Sequence, residues 1–427
     1  MHAIDLQPEQ PLNPIKGKFA VHMAFLLLFP GFFFYHTLLG LGMVSAVLGG
    51  YFTPVALALT SPIFWFYLLA ARRNKRFFLR SDLYFFLFVL YYALVVAANF
   101  AGGANPAIVK KYAASLIFCV DTFIIFRMID FSDKKFIALV VLSLAAMSAI
   151  TIYFSIDGFF YLRNLDEASN PESLATYQGF ARSYVYTFLI VVAVVRFMGV
   201  RFFVYGLAIS SLFLNGARSE FSAVLFLIPI IELYHAKHKL YSIFLVFFLL
   251  IWVVANADAI VGMLPDSRIL QLFDVSHSSS GVAREQLSRE AWHTITENPI
   301  LGDFASYEDG YYAHNILCAW VDFGLVGLVS LVAMLIWPAL QLFADGYLAR
   351  VKSGDFVVAC SFICIAILWV LTAKSVPDMS IGAALGAFAK YQFGARRDVE
   401  SSSHGRSSAS PQAARLEDPA GVITHLP

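Results

Sequence analysis

Residues 297–328 read ENPILGDFASYEDGYYAHNILCAWVDFGLVGL, a polar, turn-rich loop that runs through His314 and Asn315 into an apolar segment. That junction decides the fold class. In a chain that is 59% hydrophobic and only 14% charged, such a segment has no soluble core large enough to hide in, so it belongs in a membrane. Working outward from it, apolar runs able to cross a roughly 30 Å hydrocarbon core recur along most of the 427 residues. They are continuous rather than alternating and so predict helices, which satisfy their backbone polar groups within the segment. The expected fold is all-α: a polytopic integral membrane helical bundle with about 12 transmembrane helices and a large outer loop late in the chain.

The expected spans are roughly 19–36, 45–70, 82–100, 110–128, 136–154, 183–199, 201–215, 220–235, 240–257, 314–342, 355–373 and 378–394. The basic clusters at Arg72 to Arg76, Lys134-Lys135, Arg196 to Arg201, His235 to Lys239, Arg350 to Lys352 and Arg396-Arg397 then share one side. Cytoplasmic loops carry that excess, which places both termini inside. Residues 1–18 are polar and contain proline, so they read as a cytoplasmic N-terminus without a cleavable signal. Residues 19–394 form the bundle, including outer loop 258–313, and the Ser-, Ala- and Pro-rich residues 395–427 read as a disordered cytoplasmic tail. A formal net charge of +1 gives no reason to expect nucleic acid as a partner; membrane lipids are the expected surroundings. Cys119, Cys318, Cys360 and Cys364 all fall in apolar runs, and the one-turn spacing of the last two gives neither a disulfide nor a closed metal site.

Two long connections, 155–182 and 258–313, fall on the outer side. The second contains an amphipathic helix over 282–297, ended by Asn298-Pro299, with Ala283, Leu287, Ala291 and Ile295 as an apolar ridge. Arg284 falls beside that ridge and is expected to be the buried, functional cation. Arg289, about 140° around the helix, falls on the polar, solvated side. Cations on the outer side run against the inside bias, and Lys110, Lys111, Arg182, Arg218 and Lys374 all sit near outer helix ends. Arg218 occupies a very short turn between two spans, where its partner is either a headgroup-level phosphate or Glu220. His314, at the loop-to-helix junction beside Asn315, is a general base, a ligand-positioning donor or an interfacial residue with no chemical role. Tyr311 and Tyr312 read as an interfacial aromatic belt. Asp121 and Asp322 lie within spans and are expected to be structural counter-ions to neighbouring cations, the alternative being a transporter's proton site.

The chain has no P-loop, no Gly-x-Ser-x-Gly elbow, no His-Glu-x-x-His helix and no Asp-x-Asp cradle. It does contain Ser280-Gly281-Val282-Ala283-Arg284, then Pro299-Ile300-Leu301-Gly302-Asp303, then His314-Asn315, then Asp322-Phe323-Gly324-Leu325-Val326-Gly327, with Ala217-Arg218-Ser219 earlier. In these motifs, most specifically over 280–328, the chain resembles the O-antigen ligase and polymerase superfamily of bacterial polysaccharide assembly; Asp303 stands where a second glycine is frequent.

The resemblance implies a metal-independent glycosyltransferase at the periplasmic face of the inner membrane, needing no cofactor. Its donor would be an undecaprenyl-diphosphate-linked glycan and, for a ligase, its acceptor lipid A-core oligosaccharide. Carried over on the matching motifs, Arg218 and Arg284 bind the donor diphosphate and His314 activates or orients the acceptor hydroxyl. Arg182 and Arg289 are added as further diphosphate contacts, with Asn315 and Asp322 in support. Polymerases of the superfamily often carry an arginine, ten residues and a glycine in an outer loop; here twelve residues separate Arg289 from Gly302, which favours a ligase. The alternatives are a polymerase of the same superfamily and, in a different class, a polytopic transporter or flippase. The charge pattern makes the topology testable by cysteine labelling: Ser278→Cys should react from outside, and His238→Cys and Ser407→Cys from the cytoplasm. Labelling of Ser278→Cys from the cytoplasm alone would invert the whole arrangement.

Overall fold

The computed structural model describes residues 15–45, 50–156, 158–160, 162, 177–256, 259, 262, 269, 279–307, 311–347, 352–373 and 378–407. It is 82% helical with almost no strand, so the all-α class holds. Helix α1 (Ile15–Leu26) passes through a π-helical turn at Leu27–Gly31 into α2 (Phe32–Gly40); Pro30, which has no N–H to donate, lies inside that turn. There follow α3 (Phe52–Arg73), α4 (Arg80–Ala101), α5 (Pro106–Met128) and α6 (Lys134–Tyr153). Asn105 caps α5 by accepting from Ala107 N at 3.0 Å, with Pro106 in the first turn, and Asp133 caps α6 through Lys135 N at 2.9 Å. A short hairpin, β1 (Ser155–Ile156) and β2 (Phe159–Phe160), pairs Ser155 with Phe160. The remaining helices are α7 (Tyr177–Val194), α8 (Met198–Asn215), α9 (Arg218–His235), α10 (Lys239–Ala255), α11 (Ser279–Glu297), α12 (Leu317–Gly346), α13 (Gly354–Thr372) and α14 (Met379–Ser407).

Among the described residues, seven helices are long and apolar enough to cross a membrane: Gly17–Gly40, α3, α4, α6, α8, α12 and α13. The other five expected spans are helices that fall short of this standard. Helix α5 carries Lys110, Lys111, Asp121 and Arg127; α7 opens on polar turns with Gln178 and Arg182; α9 holds Arg218, Glu220 and Glu232. Helix α10 is 17 residues long, and the second half of α14 is polar.

The central contact is between α5 and α14. A Cβ added at Gly382 would lie 2.0 Å from the Cys119 carbonyl oxygen, and one at Gly386 would lie 2.2 Å from that of Phe123, so the two backbones approach as only glycine allows. Thr122 Oγ1 donates to Met379 O at 2.8 Å across the same seam. Phe123 also stacks on Phe85 of α4, with ring centroids 3.9 Å apart.

Ion pairs gather where α5 ends and α13 begins. Arg127 Nε lies 3.0 Å from Asp82 Oδ1, both buried, and Asp82 also accepts from Tyr67 Oη and Leu79 N at 2.9 Å each. Lys18 pairs with Asp130 at 2.6 Å, Arg201 with Glu232 at 2.7 Å and Lys390 with Asp355 at 2.9 Å. The carboxylate that holds the arginine of α5, Arg127, is thus Asp82 and not Asp121. Asp121, expected as a counter-ion, accepts from Thr60 Oγ1 at 3.0 Å, and its Oδ1 has no hydrogen-bond partner among the described residues. Threonine reaches it across the α3–α5 contact where the expectation placed a cation.

Several boundaries move, α3 for one starting at Phe52 rather than at the expected 45. Helix α7 starts at Tyr177, before the expected 183, so Arg182 lies inside a helix; α12 starts at Leu317, so His314 and Asn315 precede it; α14 runs to Ser407, past the expected end at 394. Residues 1–14 and 408–427, Lys374, and most of 161–176 and 257–278 lie outside the described residues. The α5–α14 seam predicts that Gly386→Leu lowers the thermal unfolding midpoint of the purified protein, with overpacking worth about 1–3 kcal/mol or more. Gly206→Ala, inside a helix where an added Cβ meets nothing within 4 Å, should leave it unchanged or raise it slightly, never lower it.

Candidate functional site

The 297–328 stretch folds as a turn set into a broken helix. At Gly324 (φ 64°, ψ −170°) the backbone of α12 leaves the helical path, which takes Val321 O and Leu325 N out of the ordinary ladder. Asp303 N donates to Val321 O at 2.7 Å and Leu325 N donates to Ile300 O at 3.0 Å, so the incoming turn restores both bonds. In apolar surroundings each such group left unpaired costs several kcal/mol. The fit leaves no space for side chains: a Cβ at Gly302 (φ 72°) would lie 2.3 Å from Val321 O, and one at Gly324 2.2 Å from Ile300 O. Trp320 Nε1 closes the turn by donating to Pro299 O at 2.7 Å. The position of Asp303 uses its backbone N–H, which any residue but proline supplies.

Asp322, fully buried two residues before Gly324, holds the chain that follows the incoming turn. Ala305 N donates to Asp322 Oδ1 at 3.2 Å and Tyr112 Oη donates to Oδ2; Tyr307 Oη lies 3.1 Å from the same oxygen and also contacts Tyr112 Oη. Burial and then the charge of Asp322 push the pKa of Tyr307 up, so it stays a proton donor. Ala305 has φ 59°, a left-handed conformation that costs a non-glycine residue roughly 1–3 kcal/mol unless its surroundings hold it. The expected counter-ion role of Asp322 is therefore corrected: its partners are two phenols and an amide, and the aspartate anchors the loop leading to His314.

Helix α11 lies against this unit through the predicted ridge. Ala291 and Ile295 are buried with Ala313, Cys318 and Val321. Asn315 joins the pieces, accepting from Leu317 N at 2.9 Å to cap α12 and donating to Ser288 Oγ of α11 at 3.1 Å. Its support is thus structural.

A cavity of about 310 Å³ opens beside this loop. Gln178 and Arg182 enter from α7, Arg284 from α11, Tyr312 and His314 from the loop before α12, and Asp378 from the connection between α13 and α14. Arg182 Nη2 pairs with Asp378 Oδ2 at 3.1 Å, while its buried Nε has no hydrogen-bond partner among the described residues. The His314 ring lies 4.4 Å from that of Tyr312. Arg284 stands at the rim and is exposed rather than buried as expected, with Nη1 3.4 Å from Thr372 O. One side of it is nevertheless walled closely: burial first, and then the charge of Arg218, lower its pKa. Arg218, half-buried at the start of α9, is thus electrostatically in touch with the rim, and its neighbour Ser219 accepts from Trp369 Nε1 of α13 at 3.0 Å.

The structure therefore brings Arg182, Arg284 and His314 to one cavity, with Arg218 near it. Arg289 is not brought there: it is 79% exposed and pairs with Glu285 at 2.6 Å, on the solvated side that the helical phase predicts. Lys110 and Lys111 are exposed at the start of α5. Tyr311, 63% exposed, fits the expected belt, but Tyr312 faces the cavity. Asp378, Gln178, Tyr112 and Tyr307 are missed by the sequence reading. Of these only Asp378 carries a local signal, an acid directly before an apolar helix on the side where the arginines gather. Among the described residues no three His, Cys, Asp or Glu side chains gather as metal ligands. The chain matches no model of a known family and no curated protein sequence.

If Asp322 anchors the loop, Asp322→Ala should free it while the bundle stays folded. Protection of the Ala305 and Asp303 amides against hydrogen exchange should fall by roughly ten- to a hundredfold, equivalent to about 1–3 kcal/mol for a buried polar network left unpaired. Unchanged protection would remove Asp322 from this role.

Proposed function

We propose that this chain is an O-antigen ligase-like membrane glycosyltransferase that moves an undecaprenyl-diphosphate-linked polysaccharide onto lipid A-core oligosaccharide at the periplasmic face of the bacterial inner membrane. The observation that carries this reading is the convergence of Arg182, Arg284 and His314 from three separate segments on one cavity, with Arg218 near enough to act on Arg284. Guanidinium groups crowded together at a helix-end cavity suit a diphosphate, which accepts their planar, bidentate donation and relieves their mutual repulsion. The arrangement goes with about 12 crossings, both termini in the cytoplasm and the site outside.

In the proposed reaction the acceptor hydroxyl oxygen attacks the anomeric carbon of the donor. The bond from that carbon to the diphosphate oxygen breaks, its electron pair leaves with the lipid diphosphate, and the hydroxyl proton passes to the His314 imidazole. Negative charge grows on the leaving diphosphate, and Arg284, Arg218 and Arg182 stabilise it in place. Arg182 begins in an ion pair with Asp378, which orients it while its Nε remains to be satisfied. The donor's own diphosphate supplies the driving force, so the reaction calls on no nucleotide, metal or cofactor. The carboxylates that motivate a transporter, Asp121 and Asp322, are engaged by Thr60 and by Tyr112 and Tyr307.

The test is to incubate purified protein with a lipid-linked glycan and lipid A-core and to analyse the products. His314→Ala and Arg284→Ala should each lose about 2–4 kcal/mol of transition-state stabilisation, roughly thirty- to a thousandfold in rate, while Arg289→Ala stays near wild type. Transfer should continue in chelator. Near-normal transfer by His314→Ala would remove it from proton transfer, and arrest by chelator would overturn the arginine mechanism. In a deletion strain, long glycan stranded on its lipid carrier is the ligase outcome; core bearing at most one repeat unit is the polymerase outcome and rejects the ligase.

A further inference from the structure

A second, larger cavity lies on the flank of the bundle: an almost wholly apolar slot of about 610 Å³ between α4 and α12, floored by Leu385 and Phe388 of α14. On α12 it extends from Val326 to Pro338, about 18 Å at the helical rise, close to the half-thickness of a roughly 30 Å hydrocarbon core. That is the depth of one leaflet. At its inner end Tyr91 Oη donates to Phe323 O at 2.6 Å, beside the Gly324 break. At its other end is Ser81, whose buried Oγ has no hydrogen-bond partner among the described residues.

The charges at that end identify the occupant. Ser81 follows the exposed Arg80, and exposed Arg72 and Arg73 at the end of α3 and Lys75 and Arg76 just after it precede them. This end of α12 lies about 20 Å of helix beyond the Gly324 break, with Leu317 and His314 on the other side of that break, so a headgroup seated there belongs to the leaflet opposite the arginine cavity. The tail of a donor held at that cavity would bring its phosphates to the wrong end. Cationic clusters at a membrane surface select anionic lipid headgroups.

We propose that the slot holds one acyl chain of an anionic phospholipid from that leaflet, with its phosphate at Ser81 and Arg80. The chain fills the gap between α4 and α12, the helices joined by Tyr91 below the break, and the orphaned Ser81 hydroxyl donates to a phosphate or ester oxygen. The site is independent of the reaction proposed above.

The full-length protein, reconstituted in nanodiscs of equal parts phosphatidylglycerol and phosphatidylethanolamine with a trace of polyprenyl phosphate, is released into mild detergent for native mass spectrometry. Phosphatidylglycerol should be retained on the wild-type chain. Ala333→Phe, which fills the slot, should reduce retention by roughly tenfold. Arg80→Gln, an exposed change that leaves the packing intact, should cut the preference for phosphatidylglycerol by roughly fivefold and decides the matter if Ala333→Phe does not fold. Retention of polyprenyl phosphate instead, equal retention by all three proteins, or no headgroup preference in the wild type would each overturn the proposal.

Discussion

A helix broken inside an apolar bundle must have its freed backbone groups satisfied by something, and that requirement organises the site. The break at Gly324 is closed by backbone atoms of Ile300 and Asp303 rather than by water or a side chain. The incoming turn is therefore fixed in register against α12, because a shift of one residue would put a Cβ where Gly302 meets Val321 O. Asp322 extends that register to Ala305 and Tyr307 and ties it to Tyr112 of α5. His314 follows a few residues later, before a helix capped by Asn315, so its location relative to α5, α7 and α14 derives from a chain of hydrogen bonds rather than from loose loop packing.

Much of this is legible in the sequence because it is local. The ridge of α11 follows from a 3.6-residue period, which also turns Arg289 into solvent, whereas Arg284 stands exposed at the cavity rim rather than buried. The glycines at 302 and 324 announce unusual backbone. What the sequence does not announce is who meets whom. Tyr112 and Asp322 are 210 residues apart, and no spacing rule links them. Asp378 lies far along the chain from Arg182, and its role appears only when α7 and α14 are brought together. The counter-ion expectation for Asp121 and Asp322 failed for a related reason: the groups that meet these carboxylates are hydroxyls of Thr60, Tyr112 and Tyr307, and threonine and tyrosine are too common to stand out. The helix starts at Tyr177 and Leu317 were misplaced because an apolar run marks where lipid begins, whereas a helix begins where its cap lies.

The distribution of charge distinguishes the two ends. Asp355 opens α13 and Ala373 follows its last turn, so that one 19-residue helix spans about 28 Å between them. At the Asp355 end, Lys390, Arg127, Arg201 and Lys18 each have a carboxylate within 3.0 Å. These pairs fasten the bundle. At the other end Arg182 pairs with Asp378, and Arg284 and Arg218 stand close enough that the charge of Arg218 lowers the pKa of Arg284.

The closeness of Arg218 to Arg284 has an energetic consequence. A guanidinium depressed by burial and by a like charge raises the free energy of the ligand-free protein, and an anion arriving between the two removes both penalties together. Asp378 limits the cost by neutralising the most deeply placed arginine. It also sets a condition on any anionic ligand: the ligand must either share Arg182 with Asp378 or approach from the Nε side that the aspartate leaves unsatisfied. The second route requires no ion pair to be broken, and so it directs the ligand to the face of Arg182 where no hydrogen-bond acceptor stands among the described residues.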